Sequence, residues 1–244
     1  MTTSETYDDA TMAGVPTTER GHWMQVRDGR IFYPLDPRPE EVFLEDIGYS
    51  LARKVRFGGF ADQQIPVSQH LCQCQWMALQ EGYGVREQYA ILMHDAPEYI
   101  VGDMIRPLKV DMPEFKLAEQ RIAVVVNEAL DVPTTVPHSV IKYFDNLAWA
   151  WEKRDLYKSS LEWPNTPVLP DYCYTMKPWG VENAYNTFMT QARLLRVASN
   201  AMQEFIDGQK QPVDEEDTIE NFDLFDEGTD DAEPRWDTRD WRSK

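Results

Sequence analysis

The residues most able to do chemistry stand at the ends of apolar runs. In YAILMHDAPEYIVGD the run Ala90 to Met93 leads straight into His94 and Asp95, adjacent helical positions that can lean into one cavity. In VIKYFDNLAWAW, Asp145 lies four residues after Ile141 and three before Ala148, at the edge of an apolar stripe. In IPVSQHLCQCQWMAL, His70 falls in the first turns of a helix, one turn before Cys74. An ionisable group on a core-facing stripe must find a partner or a metal, because leaving it alone in apolar surroundings is costly. Taken singly, each has a plainer reading: a satisfied core histidine, or an aspartate acting as a cap or ion-pair partner. Together, two imidazoles and two carboxylates from three helices offer the nitrogen and oxygen ligands that a borderline or hard divalent cation takes, with positions left open for water and substrate.

The spacing is itself informative, with 24 residues from His70 to His94 and 50 from Asp95 to Asp145. Around these positions stand Arg56 in RKVRFGG, His70 in VSQH, Glu98 in HDAPE, Gly102, Asp103, Pro107 and Lys109 in GDMIRPLK, and Asp145 in FDNLA. On these residues the chain resembles the HD-domain metal-dependent phosphohydrolases, and within them the bacterial 5′-deoxynucleotidases and phage dATP triphosphohydrolases. The likeness covers roughly residues 22 to 160 and thins over the last long helix.

The resemblance implies that His70, His94, Asp95 and Asp145 hold one divalent metal: Mn²⁺, Co²⁺ or Zn²⁺, with Mg²⁺ as a further option. Glu98, one turn beyond the His-Asp pair, and Asp103 are then the groups that move protons. Arg56 and Lys109 grip phosphate, and Arg106 and Lys54 are alternates. An arginine fork suits bidentate contact with phosphate oxygens, which favours Arg56 at the phosphate being cleaved. Bacterial 5′-deoxynucleotidases carry Trp after the equivalent Arg, near the sugar. Here Phe57 takes that place and keeps an apolar wall without the indole donor. Trp23, Trp76 and Trp149 are candidate stacking faces, with core packing as the plainer reading of each. The implied substrate is a small deoxynucleotide cleaved at its 5′ phosphate ester, adenine being the leading base, and the implied assembly is a homo-oligomer.

Elements that would position these groups are helical, since from residue 40 to 206 apolar residues recur at three and four, as in Ile47, Leu51, Val55 and Leu71, Cys74, Ala78. Ser68 after Pro66 is the expected cap of one helix and Gly82 its end. Arg86 to Ile100, Glu114 to Leu130, the stretch after Pro137 through FDNLAWAWEKRDLY, and Val181 to Ile206 read as further helices. The Pro-rich DVPTTVP and SLEWPNTPVLPDYCYTMKPWG are loops, and RIFYPL beside Gly29 reads as a strand or small hairpin. The expectation is an all-α HD-domain helical bundle over residues 21–206, with a disordered segment over 1–20 and an acidic disordered tail over 207–244.

Of the 244 residues, 42 are Asp or Glu and 24 Lys or Arg, a formal net charge of −18. Residues 207–244 carry 14 of the acids and 5 of the bases, so half the excess lies in that tail. Such a balance argues against a surface that coats long nucleic acid or anionic membrane. No 18-residue apolar run or secretory leader is read, and three unpaired cysteines fit a reducing cytoplasm. No P-loop, nucleophile-elbow or dinucleotide-loop string is found. The alternative function is a non-catalytic HD-like interaction protein acting through its acidic tail, where Phe222, Leu224, Phe225, Trp236 and Trp241 punctuate the carboxylates.

Overall fold

A computed structural model describes residues 17–158 and 161–209. The segment read as an N-terminal tail lies largely outside the described residues, as do Phe222, Leu224, Phe225, Trp236 and Trp241 of the acidic stretch. The fold is all-α, as its 3.6-residue apolar period requires. Helices α1 (Leu44–Leu51), α2 (Val67–Gln80), α3 (Val85–Met93), α4 (Glu98–Val101), α5 (Arg106–Lys109), α6 (Pro113–Ala129), α7 (His138–Leu156) and α8 (Val181–Gln209) follow two minimal hairpins. Strands β1 (Thr17–Thr18) and β2 (Gly21–His22) form the first, and β3 (Met24–Gln25) and β4 (Ile31–Phe32) the second, around Gly29. Arg20 lies inside the stretch expected to be tail, yet it bonds Asp36 at 2.7 Å and Glu41 at 2.5 Å.

Two apolar clusters make the core, and α2 and α3 contribute to both. One face carries Leu71, Tyr89 and Leu92 against Ile47 and Leu51 of α1, Ile122 and Val126 of α6 and Phe188 of α8. The other carries Cys74, Met77 and Ile91 against Phe144, Leu147 and Trp151 of α7. A helix apolar on two faces is buried rather than amphipathic, and most of α2 is indeed buried. That burial fixes the helices from which the ionisable residues project. Two of the large polar rings in the core are matched: Tyr89 donates to the Leu130 carbonyl at 2.7 Å, and the Trp151 indole to the Tyr174 carbonyl at 2.7 Å.

Several element ends differ from expectation. Ser68 does not cap α2, which starts at Val67 after Pro66 and has no side-chain cap bond. Proline at the cap needs no amide partner, and Ser68 is drawn inside the helix. The expected helix from Arg86 to Ile100 divides, because α3 stops at Met93 and α4 starts only at Glu98. Between them Ala96 and Glu98 donate amide bonds to carbonyls three residues back, and Pro97 has no amide to give. Val55 lies beyond α1, in an isolated antiparallel bridge with Pro66 that closes the RFGG loop. Helix α5 has no apolar period of its own.

Candidate metal centre and its cavity

His70 comes from α2, His94 and Asp95 from the turn after α3, and Asp145 from α7. One ligand atom from each lies within 4.8 Å of all the others. His70 Nε2 is 3.4 Å from Asp145 Oδ1 and 3.7 Å from Asp95 Oδ2, and His94 Nε2 is 3.2 Å from Asp95 Oδ2.

The far side of each ring fixes the tautomer. His94 Nδ1 donates to the Ile91 carbonyl at 2.8 Å, which leaves Nε2 as a lone pair aimed into the cluster. Glu152 Oε1 accepts from His70 Nδ1 at 2.6 Å and orients that ring in the same way. His94 Nε2 is buried and has no hydrogen-bond partner. Four acceptor atoms facing one another need positive charge among them, so this donor set fits a divalent cation and can hold one. Protonation of His70 is the other source of that charge. Burial and Arg56 oppose it, but Cys74, Glu152 and the hydrogen bond to Asp145 outweigh them and raise the pKa well above the ordinary imidazole value. Burial likewise opposes ionised Asp95 and Asp145, yet the imidazoles hold both carboxylates below their usual range. Cys74 Sγ lies 3.6 Å from His70 Nε2, and burial raises its thiol pKa.

Arg56 joins this cluster from below. Its Nε and Nη2 each lie 3.3 Å from Glu152 Oε2, and its Nη1 lies 3.6 Å from Asp103 and 4.0 Å from Asp95. Glu152 therefore holds one metal-ligand candidate and one phosphate-gripping candidate with its two oxygens, and it is fully buried. Sequence reasoning missed it. The available signal was its position seven residues after Asp145, two turns along the same helix face, at the end of the apolar run AWAW.

Glu98 is also brought to the cluster, 3% exposed, with one carboxyl oxygen unpartnered. Burial raises its pKa well above the ordinary value, and the charges of Asp95 and Asp103 add to the effect. Burial raises Asp103 as well, against the pull of Arg56. These two carboxyls are biased toward holding protons, while Asp95 and Asp145 are biased toward shedding them.

A cavity of about 700 Å³ opens onto the cluster and is lined by Arg56, Phe57, Asp95, Glu98, Asp103, Lys109 and Asp145, among others. Arg106 and Lys142, the latter ion-paired to Asp145, also line it. Lys109 is tied to Glu119 at 2.6 Å. Lys54 is placed differently: its ammonium takes the carbonyls of Glu98 and Tyr99 at 2.7 Å, closing the end of α4. Burial lowers its pKa to about 8. Trp76 packs on Trp151, Tyr172 and Tyr174, whereas Trp149 lines the cavity. Phe57 sits at φ +58°, a left-handed conformation that costs a non-glycine residue energy and recurs at functional sites. A second cavity, about 340 Å³ between Phe43, Leu130 and Val197, has no such ligand cluster.

No family model matches the chain. It is similar to YfdR, an uncharacterized protein of Escherichia coli K12, at 31% identity over 163 residues, which spans 66% of this chain and 88% of YfdR. The chain belongs to the YfdR family. A second relative, an uncharacterized protein of Rhodobacter capsulatus, is 32% identical over 120 residues, 47% of this chain and 61% of the relative. Among the described residues of this YfdR-family chain, no helix is long and apolar enough to cross a membrane.

Proposed function

We propose that this YfdR-family chain is a divalent-metal-dependent phosphohydrolase that cleaves the 5′ phosphate ester of deoxynucleotides. The products are a deoxynucleoside with phosphate from a monophosphate, or with triphosphate from dATP. The observation that carries the reading is the convergence of four ligand atoms within 4.8 Å, one of them the buried, unpartnered His94 Nε2, at the floor of a cavity with cationic walls. Mn²⁺, Co²⁺ or Zn²⁺ suits two imidazoles and two carboxylates, with Mg²⁺ less favoured by the nitrogen donors. When bound, such an ion polarises a phosphoryl oxygen and lowers the pKa of a coordinated water.

The remaining work falls to the chain itself. Arg56 is permanently charged and held by Glu152 on one side and by Asp103 and Asp95 at Nη1 on the other, so it is fixed where it can gather charge spreading over the phosphoryl oxygens with little reorganisation. Arg106, Lys109 and Lys142 add point charges around it, which suits a polyphosphate as well as a monophosphate. Glu98 and Asp103 share the proton work, one handing a proton to the leaving 5′ oxygen and the other taking one from the attacking water. Phe57 presents an apolar face where a ribose 2′-hydroxyl would lose its water without gaining a partner.

Incubating the purified chain with dAMP, dATP and their ribose counterparts, with identification of every product, tests this directly. Deoxynucleotides should release phosphate or triphosphate, the ribose forms should react more slowly, and Asp95→Ala should abolish turnover. Preference for the ribose forms would contradict the roles of Arg56 and Phe57.

A further inference from the structure

One wall of the cavity is aromatic, and neither the ligand cluster nor the cations use it. Phe57, Trp149, Tyr157 and Trp163 surround the mouth. Trp163 is the hub: its ring centroid lies 5.0 Å from that of Trp149, 5.5 Å from Tyr157 and 6.1 Å from Phe57. Phe57 and Tyr157 meet edge to face at 5.6 Å.

Phe57 and Tyr157 pack against the second core cluster, but the two tryptophans are not ordinary core. Trp151, Phe144 and Phe188 are fully buried, whereas all four wall residues remain half-buried. Trp149 and Trp163 belong to neither apolar core cluster. Nor does helix propensity account for Trp163, which lies in the loop after α7. Trp149 and Trp163 stabilise one another at 5.0 Å, yet both stay half-buried on the cavity wall, apolar ring surface that a planar ligand can cover.

Charge on the wall points the same way. The Lys153 ammonium lies 5.1 Å from the Trp163 ring centroid, and the Arg56 guanidinium 5.6 Å from that of Phe57. Arg56 therefore belongs to both regions, gripping the phosphate end and flanking the aromatic end. A ligand that bridges them has an anionic group at one end and a flat π-face at the other, which is the chemistry of a nucleotide and not of a sugar phosphate.

We infer that Trp149, Tyr157 and Trp163 form the seat of the nucleobase, with Trp163 the principal stacking face and Phe57 at its sugar side. The inference rests on the phosphohydrolase reading only for which end of the cavity receives the phosphate. Stacking reads the face of the ring and not its edge, so this seat sets the demand for a base more than the choice among bases.

The test compares dAMP with 2-deoxyribose 5-phosphate, the same phosphate ester without a base, using the full metal-loaded chain. Wild type should prefer dAMP in kcat/KM. Trp163→Ala should lose about ten-fold or more of that preference, and Trp163→Phe, which keeps a ring, should recover most of it. An unchanged preference in Trp163→Ala, with hydrolysis intact, overturns the base seat and leaves the hydrolase reading standing. If wild type hydrolyses neither compound, tryptophan fluorescence titrated with 2′-deoxyadenosine decides the seat on its own, and the hydrolase reading fails only where dATP is not hydrolysed either. Saturable quenching that weakens in Trp163→Ala supports it, and no quenching overturns it.

Discussion

Glu152 shows how much of the site depends on a residue that touches no substrate. Its two oxygens hold His70 at 2.6 Å and Arg56 at 3.3 Å in a fully buried position. Changing it to glutamine keeps the shape and removes the charge, so Glu152→Gln should weaken metal binding by about 10- to 100-fold, measured by competition with a chelating dye. Glu152→Ala instead strands a buried guanidinium and should cost about 3–5 kcal/mol, read from urea unfolding of metal-stripped protein. His94 and Asp95 stand out in the sequence because ionisable residues ending an apolar run break the core pattern, while His70, Asp145 and Glu98 join them as candidates through the family resemblance. Glu152 breaks that pattern equally, but a single glutamate in a charged stretch, WEKRD, looks like the start of a solvent face. The left-handed Phe57 and the pocket position of Trp163 leave no periodic trace, since loop geometry and long-range closure set both.

At the scale of elements, the helices around the candidate metal centre are held by packing that tolerates little change. On α1, a Cβ added at Gly48 would stand 2.6 Å from Met189 Sδ and 3.3 Å from Tyr185. Gly48→Leu should therefore destabilise by about 1–3 kcal/mol, with part recovered by Met189→Ala, as read from denaturation midpoints. The same pair of helices shares the Glu45–Arg193 ion pair at 2.8 Å. The bond from Arg193 holds Glu45 below its usual pKa, against the desolvation that raises it. Stability from a depressed carboxylate is present above its unfolded pKa of 4.5 and lost as pH falls through the lower folded value. Because both partners are largely exposed, this pair contributes no more than about 0.5 kcal/mol. Glu45→Gln should flatten the acid side of the stability curve by that small amount and leave neutral pH nearly as it was. Long helices such as α7 and α8 were legible from period and flanking proline and glycine. The short α5 has no period to read, whereas the break before α4 does carry a local signal in Pro97, which cannot continue a helix.

Across the whole molecule, the acidic balance takes on a specific meaning. Half of the −18 lies in residues 207–244, and part of the rest is the cluster of Asp95, Asp145, Glu98, Asp103 and Glu152. Only cations offset such a concentration of carboxylates, and the protein supplies Arg56, Lys109 and Lys142 at its edge. On the proposed function, a divalent ion held there would complete that balance and leave the cavity receptive to one small anion. The most direct test is phosphate or triphosphate release from dAMP and dATP by chelator-stripped protein before and after reloading with Mn²⁺ or Co²⁺. The account predicts that stripped protein is inert, that reloading restores turnover, and that Asp95→Ala stays inert after the same treatment. Reloaded wild-type protein that hydrolyses neither nucleotide, or stripped protein that hydrolyses them undiminished, would contradict it.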